Sequence, residues 1–357
     1  MGDYPSGDES KNAAIDREVS KDKSTRGSGR IKVLEDTNGD GRFDAATVFL
    51  DGISFPTGVL VWRNGAIITA APDVFYAEDT DGDGRADRRE ILLTGFEPGN
   101  PQHTVNGLRR GLDNWVYLAN GDNGGAVRSM KTGQSIDARA FDVRFKPDTG
   151  EVEAVSGRSQ FGREPNDDGD WFASNNTIPL MHFALDEQSL RRNDQAALEQ
   201  SRRELLTAQD ETLYPLTKPQ YLWFADRPDR PDAPVRFTAA CGLGFYRDAL
   251  LGDEVRGNVF ICEPAHNLIH RRIVEPRGAT FTSRRPAEEA ASKQEFLASS
   301  DPWFRPVMVR TGPDGALWIA DMHRLVIEHP DWIENDLQKG LELRAGADRG
   351  RIYRVTP

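Results

Sequence analysis

This chain of 357 residues has little cysteine and no long apolar run, and each shortage closes off a class of protein. Its two cysteines, Cys241 and Cys262, stand in no CxxC or CxxCH spacing, which excludes a zinc ribbon and a covalently attached haem. No apolar stretch approaches the roughly 18 residues of a membrane-spanning helix. Basic side chains are outnumbered, 45 against 57 acidic, for a formal charge of −12. A nucleic-acid backbone is therefore a poor partner, because affinity for it comes from clustered Lys and Arg. The opening MGDYPSGDESKNAAIDREVSKDKSTRGSG lacks the apolar centre of a signal peptide, and residues 1–29 read as a flexible polar segment.

The cysteines lie in FTAACGLGFY and GNVFICEPAH, two strand-like stretches joined by a charged, Gly-containing link. Paired as a hairpin, these strands would bring the sulfurs face to face. A disulfide and two separate buried thiols both remain open.

What is abundant is a recurring grammar of polar turn, aliphatic-aromatic strand, polar loop and second strand. It appears in RNGAIITAAPDVFYAE, LDNWVYLANGDNGGAVRSM, DDGDWFASNNTIPLMHFAL, VRGNVFICEPAHNLIHRRI and PDGALWIADMHRLVIEH. GRIKVLEDTN near the start and GRIYRVTP at the end imply a sixth repeat. Short strands at this spacing predict an all-β fold, a six-bladed β-propeller spanning residues 30–357, whose sheets must stack to bury both faces. MGDYPSG reads as a loop that follows an inner strand, so the first blade is expected to be incomplete. Leu190, Leu198, Leu205 and Leu206, spaced near helical periodicity among charges, predict an inserted surface helix over about 186–212.

Acidic residues concentrate in two loops. Asp79, Asp81, Asp83 and Asp87 occupy positions one, three, five and nine of a calcium loop, with Gly84 at six and Glu90 at twelve. Asp36, Asn38, Asp40 and Asp44 repeat the pattern, with Thr47 at twelve. The flanks read as strands, so the shared unit is a hairpin loop, DxDxDGxxD, in which the ninth-position Asp is the expected late ligand. So many carboxylates repel one another unless a divalent cation sits among them, and calcium accepts the irregular oxygen set. Both sites are expected to be structural and of weak affinity.

Candidate chemistry centres on HTVNGLRRGLDNWVYLANGDNGG, which begins at His103. The segment resembles the soluble quinoprotein glucose and sorbosone dehydrogenases, six-bladed propellers that carry pyrroloquinoline quinone. The resemblance implies His103 as general base and Asp122 as the carboxylate that orients it. Imidazole titrates near neutral pH, which suits it to take a hydroxyl proton during hydride transfer. In DPWFRPVMVRTGPDGALWIADM, Arg305 matches a quinone-facing arginine, while Trp303 stands where a second would be. His266 takes the place of a cofactor-binding lysine, Asn176 that of a Gln and Ser159 that of an Asn. A tricarboxylated quinone needs strong cationic partners, so Asn176, His266 and Arg305 form an altered clamp.

Nearly the whole chain also resembles the propeller of large PVC-type proteins named membrane-bound dehydrogenases or haem-binding proteins. GRIKVLEDTNGDGRFD, VIEHPDWI and RAGADRGRIYRV carry that likeness. It implies an extracytoplasmic, periplasmic or secreted protein that oxidises a sugar or alcohol and passes electrons to a cytochrome c-like acceptor, within a longer chain. Two other readings stand beside it. One is a propeller that binds a glycan or a protein without turnover. The other is a calcium-dependent lactonase-type hydrolase with an axial metal on Glu263, Asn176 and Asp321.

Overall fold

The computed structural model describes residues 27, 29–186, 190, 192, 202–217, 234–327, 333 and 335–357. The expectation for residues 1–29 falls, but for residues 27 and 29, outside them. Two compact units divide the chain, Met1–Arg158 and Ser159–Pro357.

In the first unit, β1 (Gly29–Glu35) and β2 (Ala45–Ile53) form a two-stranded antiparallel ribbon. Next come β3 (Gly58–Trp62), β4 (Gly65–Ala70), β5 (Asp73–Glu78) and β6 (Arg88–Phe96), each paired with its successor. A further sheet runs β7 (Asn106–Arg110), β8 (Val116–Ala119), β11 (Asp142–Phe145) and β12 (Val152–Val155). Between them in sequence, β9 (Gly125–Ser129) and β10 (Ser135–Asp137) leave that sheet and extend the earlier one beyond β6. One core serves both sheets: Ile67, Val74 and Leu93 pack with Leu108, Val116 and Leu118.

The second unit starts with β13 (Arg163–Pro165), β14 (Trp171–Asn175), β15 (Ile178–Phe183) and β16 (Arg202–Leu206). It continues with β17 (Cys241–Phe245), β18 (Val259–Glu263), β19 (Leu268–Arg277) and β20 (Thr280–Arg284), with β21 (Leu297–Ala298) against β19. A short helix, α1 (Ala287–Ser292), precedes β21. β22 (Pro306–Thr311), β23 (Leu317–Asp321) and β24 (Arg351–Val355) form the last sheet. Every residue of β18 is buried, which explains why VFIC reads as a continuous apolar run rather than an alternating one.

The chain is an all-β propeller. Among the described residues its sheets of three or more strands number five, beside the β1–β2 ribbon, where the repeats predict six blades. The difference arises at the ends. GRIYRVTP supplies β24, the third strand of the last sheet, while GRIKVLEDTN pairs only with β2.

The helix expected over about 186–212 is corrected at its end. Arg202–Leu206 is a strand whose Leu206 pairs with Leu180 of β15, and residues 187–189, 191 and 193–201 lie outside the described residues. An open sheet edge that needs hydrogen-bond partners overrides the local leucine spacing here. The cysteine hairpin forms, with Cys241 directly opposite Cys262, and both are free, buried thiols.

Candidate active site

His103 ends a single 3-10 turn, Pro101–His103, whose start is capped by Asn100 accepting from the Gln102 N–H at 3.0 Å. Asp122 arrives from the loop after β8. That loop is stitched to the turn, since the Asn123 N–H donates to the His103 carbonyl at 3.1 Å and the Asn123 side-chain amide to the Asn100 carbonyl at 3.0 Å. Gly121 permits the approach. Its φ is +73°, and a Cβ there would lie 2.1 Å from the Thr104 carbonyl oxygen.

The result is that His103 Nδ1 lies 3.8 Å from Asp122 Oδ2, an electrostatic contact slightly beyond hydrogen-bond reach. Arg158 completes the group: its Nε is 3.3 Å from Asp122 Oδ1, and its Nη2 donates to the Asp122 carbonyl at 3.0 Å. Burial lowers the His103 pKa below the ordinary imidazole value; Asp122 opposes that shift and Arg158 adds to it. The imidazole is therefore neutral at pH 7, yet its side chain stays 31% exposed. A neutral, accessible imidazole beside a carboxylate can accept a proton. The structure places His103 and Asp122 side by side. Arg158 had no sequence signal, because it reaches the site from the end of the first unit.

The second unit treats its assigned residues differently. Arg305 is buried, and its guanidinium donates to four backbone carbonyls, those of Arg324 (2.9 Å), Pro264 (2.7 Å), Ala265 (3.3 Å) and Leu325 (2.7 Å). It staples loops together. Burial even lowers its pKa to about 10. His266 is buried as well; its Nε2 is 2.8 Å from the Arg236 carbonyl, and burial pushes its pKa down to about 4. The Asn176 main chain is held by the Gln160 side chain and the Ala240 N–H. The catalytic role for Arg305 and the clamp of Arg305 and His266 are thus corrected. One group has its donors engaged by carbonyls, and the other is uncharged. These residues do not fit a tricarboxylated quinone.

Glu263 and Asp321 are also buried. The Glu263 carboxyl accepts from the Thr238 and Ala239 N–H groups at 3.2 and 3.1 Å, yet burial raises its pKa to about 8. Asp321 Oδ1 accepts from the Arg305 and His323 N–H groups, both at 2.7 Å, while Oδ2 lies 3.4 Å from His323 Nδ1. His323 stacks on Trp303 at 5.5 Å between ring centroids.

The acidic loops differ from one another. One oxygen from each of Asp79, Asp81 and Asp83 lies within 4.8 Å of the others, and this is the one such group of three among the described residues. The ninth-position residues each bond a threonine of their own loop. Asp87 accepts from the Thr80 hydroxyl at 2.7 Å and Asp44 from the Thr37 hydroxyl at 2.8 Å. In the first loop Asp36 accepts from the Gly39 and Gly41 N–H groups, and Asp40 from the Arg42 N–H and the Asn38 amide. Glu90 is no loop residue at all, because it sits in β6 opposite Tyr76.

Sheet succession and a histidine–carboxylate pair at a loop define an all-β propeller with a potential acid–base site. The chain belongs to the family described as Domain of unknown function (DUF7133), which matches residues 1–357. No curated protein matches. Similar solved structures include the PQQ-bound aldose sugar dehydrogenase of Streptomyces coelicolor, at 15% identity over 84% of each chain with a TM-score of 0.43. The soluble aldose sugar dehydrogenase of Escherichia coli, in its apo form, is 12% identical over 82% of this chain and 87% of that one, with a TM-score of 0.41. A luciferin-regenerating enzyme is 11% identical over 88% of this chain and 81% of that one, with a TM-score of 0.45.

Proposed function

We propose that this propeller is an oxidoreductase acting on a sugar or alcohol, with His103 as the base that takes the hydroxyl proton. The observation that carries this reading is the 3.8 Å approach of His103 Nδ1 to Asp122 Oδ2. The carboxylate favours the tautomer with its proton on Nδ1, which makes Nε2 the nitrogen that takes the substrate proton in this reading. Oxidation also moves a hydride, which an exogenous two-electron acceptor has to take, because the residues present do not hold the quinone that the resemblance implies. Since Arg305 and His266 do not form its clamp, the part assigned to this chain is binding the substrate, positioning the hydroxyl and taking up the proton. The Asp79 loop is read as a structural calcium site, supported by the convergence of its three carboxylates. The Asp36–Asn38–Asp40–Asp44 loop is read the same way by its sequence pattern. An extracytoplasmic location and a cytochrome c-like electron acceptor belong to the same proposal.

Dye-linked oxidation of aldoses and alcohols, with calcium and an added quinone, tests it. Saturable turnover is expected, with His103→Ala lowering kcat by roughly 100-fold or more. The occupied guanidinium of Arg305 favours one second reading, a propeller that binds a sugar without turnover. Sugar binding with no oxidation, untouched by His103→Ala, would establish that reading instead.

A further inference from the structure

β8 ends at Ala119, and Asn120 follows it with no exposed surface. Each of its four polar atoms has a partner. Its N–H donates to Asp142 Oδ1 at 3.0 Å, and its side-chain amide to the Ala138 carbonyl at 2.9 Å. Its carbonyl accepts from the Gly124 N–H at 3.3 Å, and its Oδ1 from the Asp122 N–H at 2.8 Å. The first two bonds anchor Asn120 to the chain around the start of β11. The last two close the loop from Asn120 to Gly124 back onto that anchor.

Asp122 needs this restraint. Its φ is +73°, in the left-handed region that is uncommon for a residue with a Cβ. A side-chain oxygen two residues upstream that captures the N–H favours such a turn. The backbone conformation at Asp122 then sets the direction of its Cα–Cβ bond, which carries the carboxylate to His103 and Arg158. The last sheet uses the same device. Asp321 ends β23, its Oδ1 accepts from the His323 N–H at 2.7 Å, and His323 has a φ of +50°. There the aimed side chain is buried, whereas the Asp122 side chain keeps 19% of its surface beside an accessible imidazole.

We infer that Asn120 is a positioning residue of the His103 site: it holds the Asp122 backbone in the conformation that turns the carboxylate toward the imidazole. It is not a catalytic residue, because it has no surface for a substrate to touch. The inference rests on the reading of His103 as the base, but its test follows a proton equilibrium and needs no turnover. Asp122, which raises the His103 pKa, and Arg158, which lowers it, are the charged groups that face the imidazole. Losing the aim of Asp122 therefore has a known sign.

The test is an NMR titration of the His103 ring protons in the full chain, in Asn120→Ala, Asp122→Asn and the double variant. Asn120→Ala is expected to lower the midpoint towards that of Asp122→Asn, and the double variant to fall no further than Asp122→Asn alone. Asn120→Ser keeps a shorter, weaker acceptor for the Asp122 N–H and is expected to lie between the full chain and Asn120→Ala. A midpoint unchanged in the Asn120 variants that fold overturns the inference. So does an equal fall from Asn120→Ala in the Asp122→Asn background, which marks loosened packing rather than lost aim. Loss of folding in both Asn120 variants assigns the residue to the fold alone and overturns it as well. Coupling that persists without any sugar or alcohol oxidation upholds the positioning role and strikes only the proposed reaction.

Discussion

Burial lowers the pKa of both His103 and His266, but only His103 keeps an exposed edge and a carboxylate beside it. That difference separates a usable base from an imidazole locked in the wall of the second unit. Asp122 raises the His103 pKa and Arg158 lowers it, so each can be removed with a known sign. An NMR titration of the His103 ring protons is expected to give a midpoint below the ordinary value of 6.5. Asp122→Asn moves it lower and Arg158→Ala moves it higher, and the acid limb of kcat/KM follows. A midpoint indifferent to both substitutions would show that the three side chains are not coupled. His103 and Asp122 were legible in the sequence because they flank one strand pair, β7–β8, within a single motif. The fate of Arg305 was not legible, because its carbonyl partners come from two other loops.

At the scale of elements, the β5–β6 hairpin carries the acidic loop at its tip. The twelfth residue of a calcium loop can return as a ligand when a helix follows, whereas here strand β6 aims Glu90 at the sheet face. The loop's affinity is thus expected to be weak, with a dissociation constant of ~0.1–1 mM. At ~10 mM calcium such a site stabilises the fold by ~1–3 kcal/mol. Thermal unfolding is expected to move upward by several degrees between EDTA and calcium, and the Asp81→Asn, Asp83→Asn double variant is expected to lose that response. A response unchanged in the variant would place the metal elsewhere. β16 carries the complementary lesson. Leu205 and Leu206 end a helically spaced leucine series, but Leu206 finds a buried place beside β15 that only the assembled sheet provides.

For the molecule as a whole, buried ionisable groups link stability to pH. Burial raises Glu263 to about 8 and Glu289 to about 7 from an unfolded value near 4.5. Each carboxyl therefore holds its proton more tightly when folded. Its contribution is complete below about pH 4.5 and is lost as pH rises through the folded value. His266 acts in the opposite sense, since its stabilisation grows from about pH 4 to 6.5 and is then complete. Above pH 6.5 only the glutamates of this trio still titrate. The urea midpoint is expected to fall between about pH 6.5 and 8.5, and Glu263→Gln is expected to show a smaller fall. An equal fall in the variant would mean that Glu263 is already ionised in the folded chain. In the same unit, His270 and Glu295 meet at 2.7 Å, with Arg285 3.1 Å from the same carboxylate. Nothing in the charge pattern of the sequence foretold this buried network.

The sequence by itself determined the excluded classes, the all-β propeller and the acidic hairpin loops, whereas His103 and Asp122 were singled out by a family resemblance. Each of these depends on composition, on a period of two or on residues close along the chain, so local chemistry suffices. Tertiary structure alone decided that β9 and β10 join the earlier sheet, that Arg305 bonds carbonyls and that Glu263 keeps its proton. These outcomes depend on which groups lose water together and which distant backbone atoms become their partners. Desolvation and hydrogen-bond pairing are properties of the packed chain, and no stretch of it contains them.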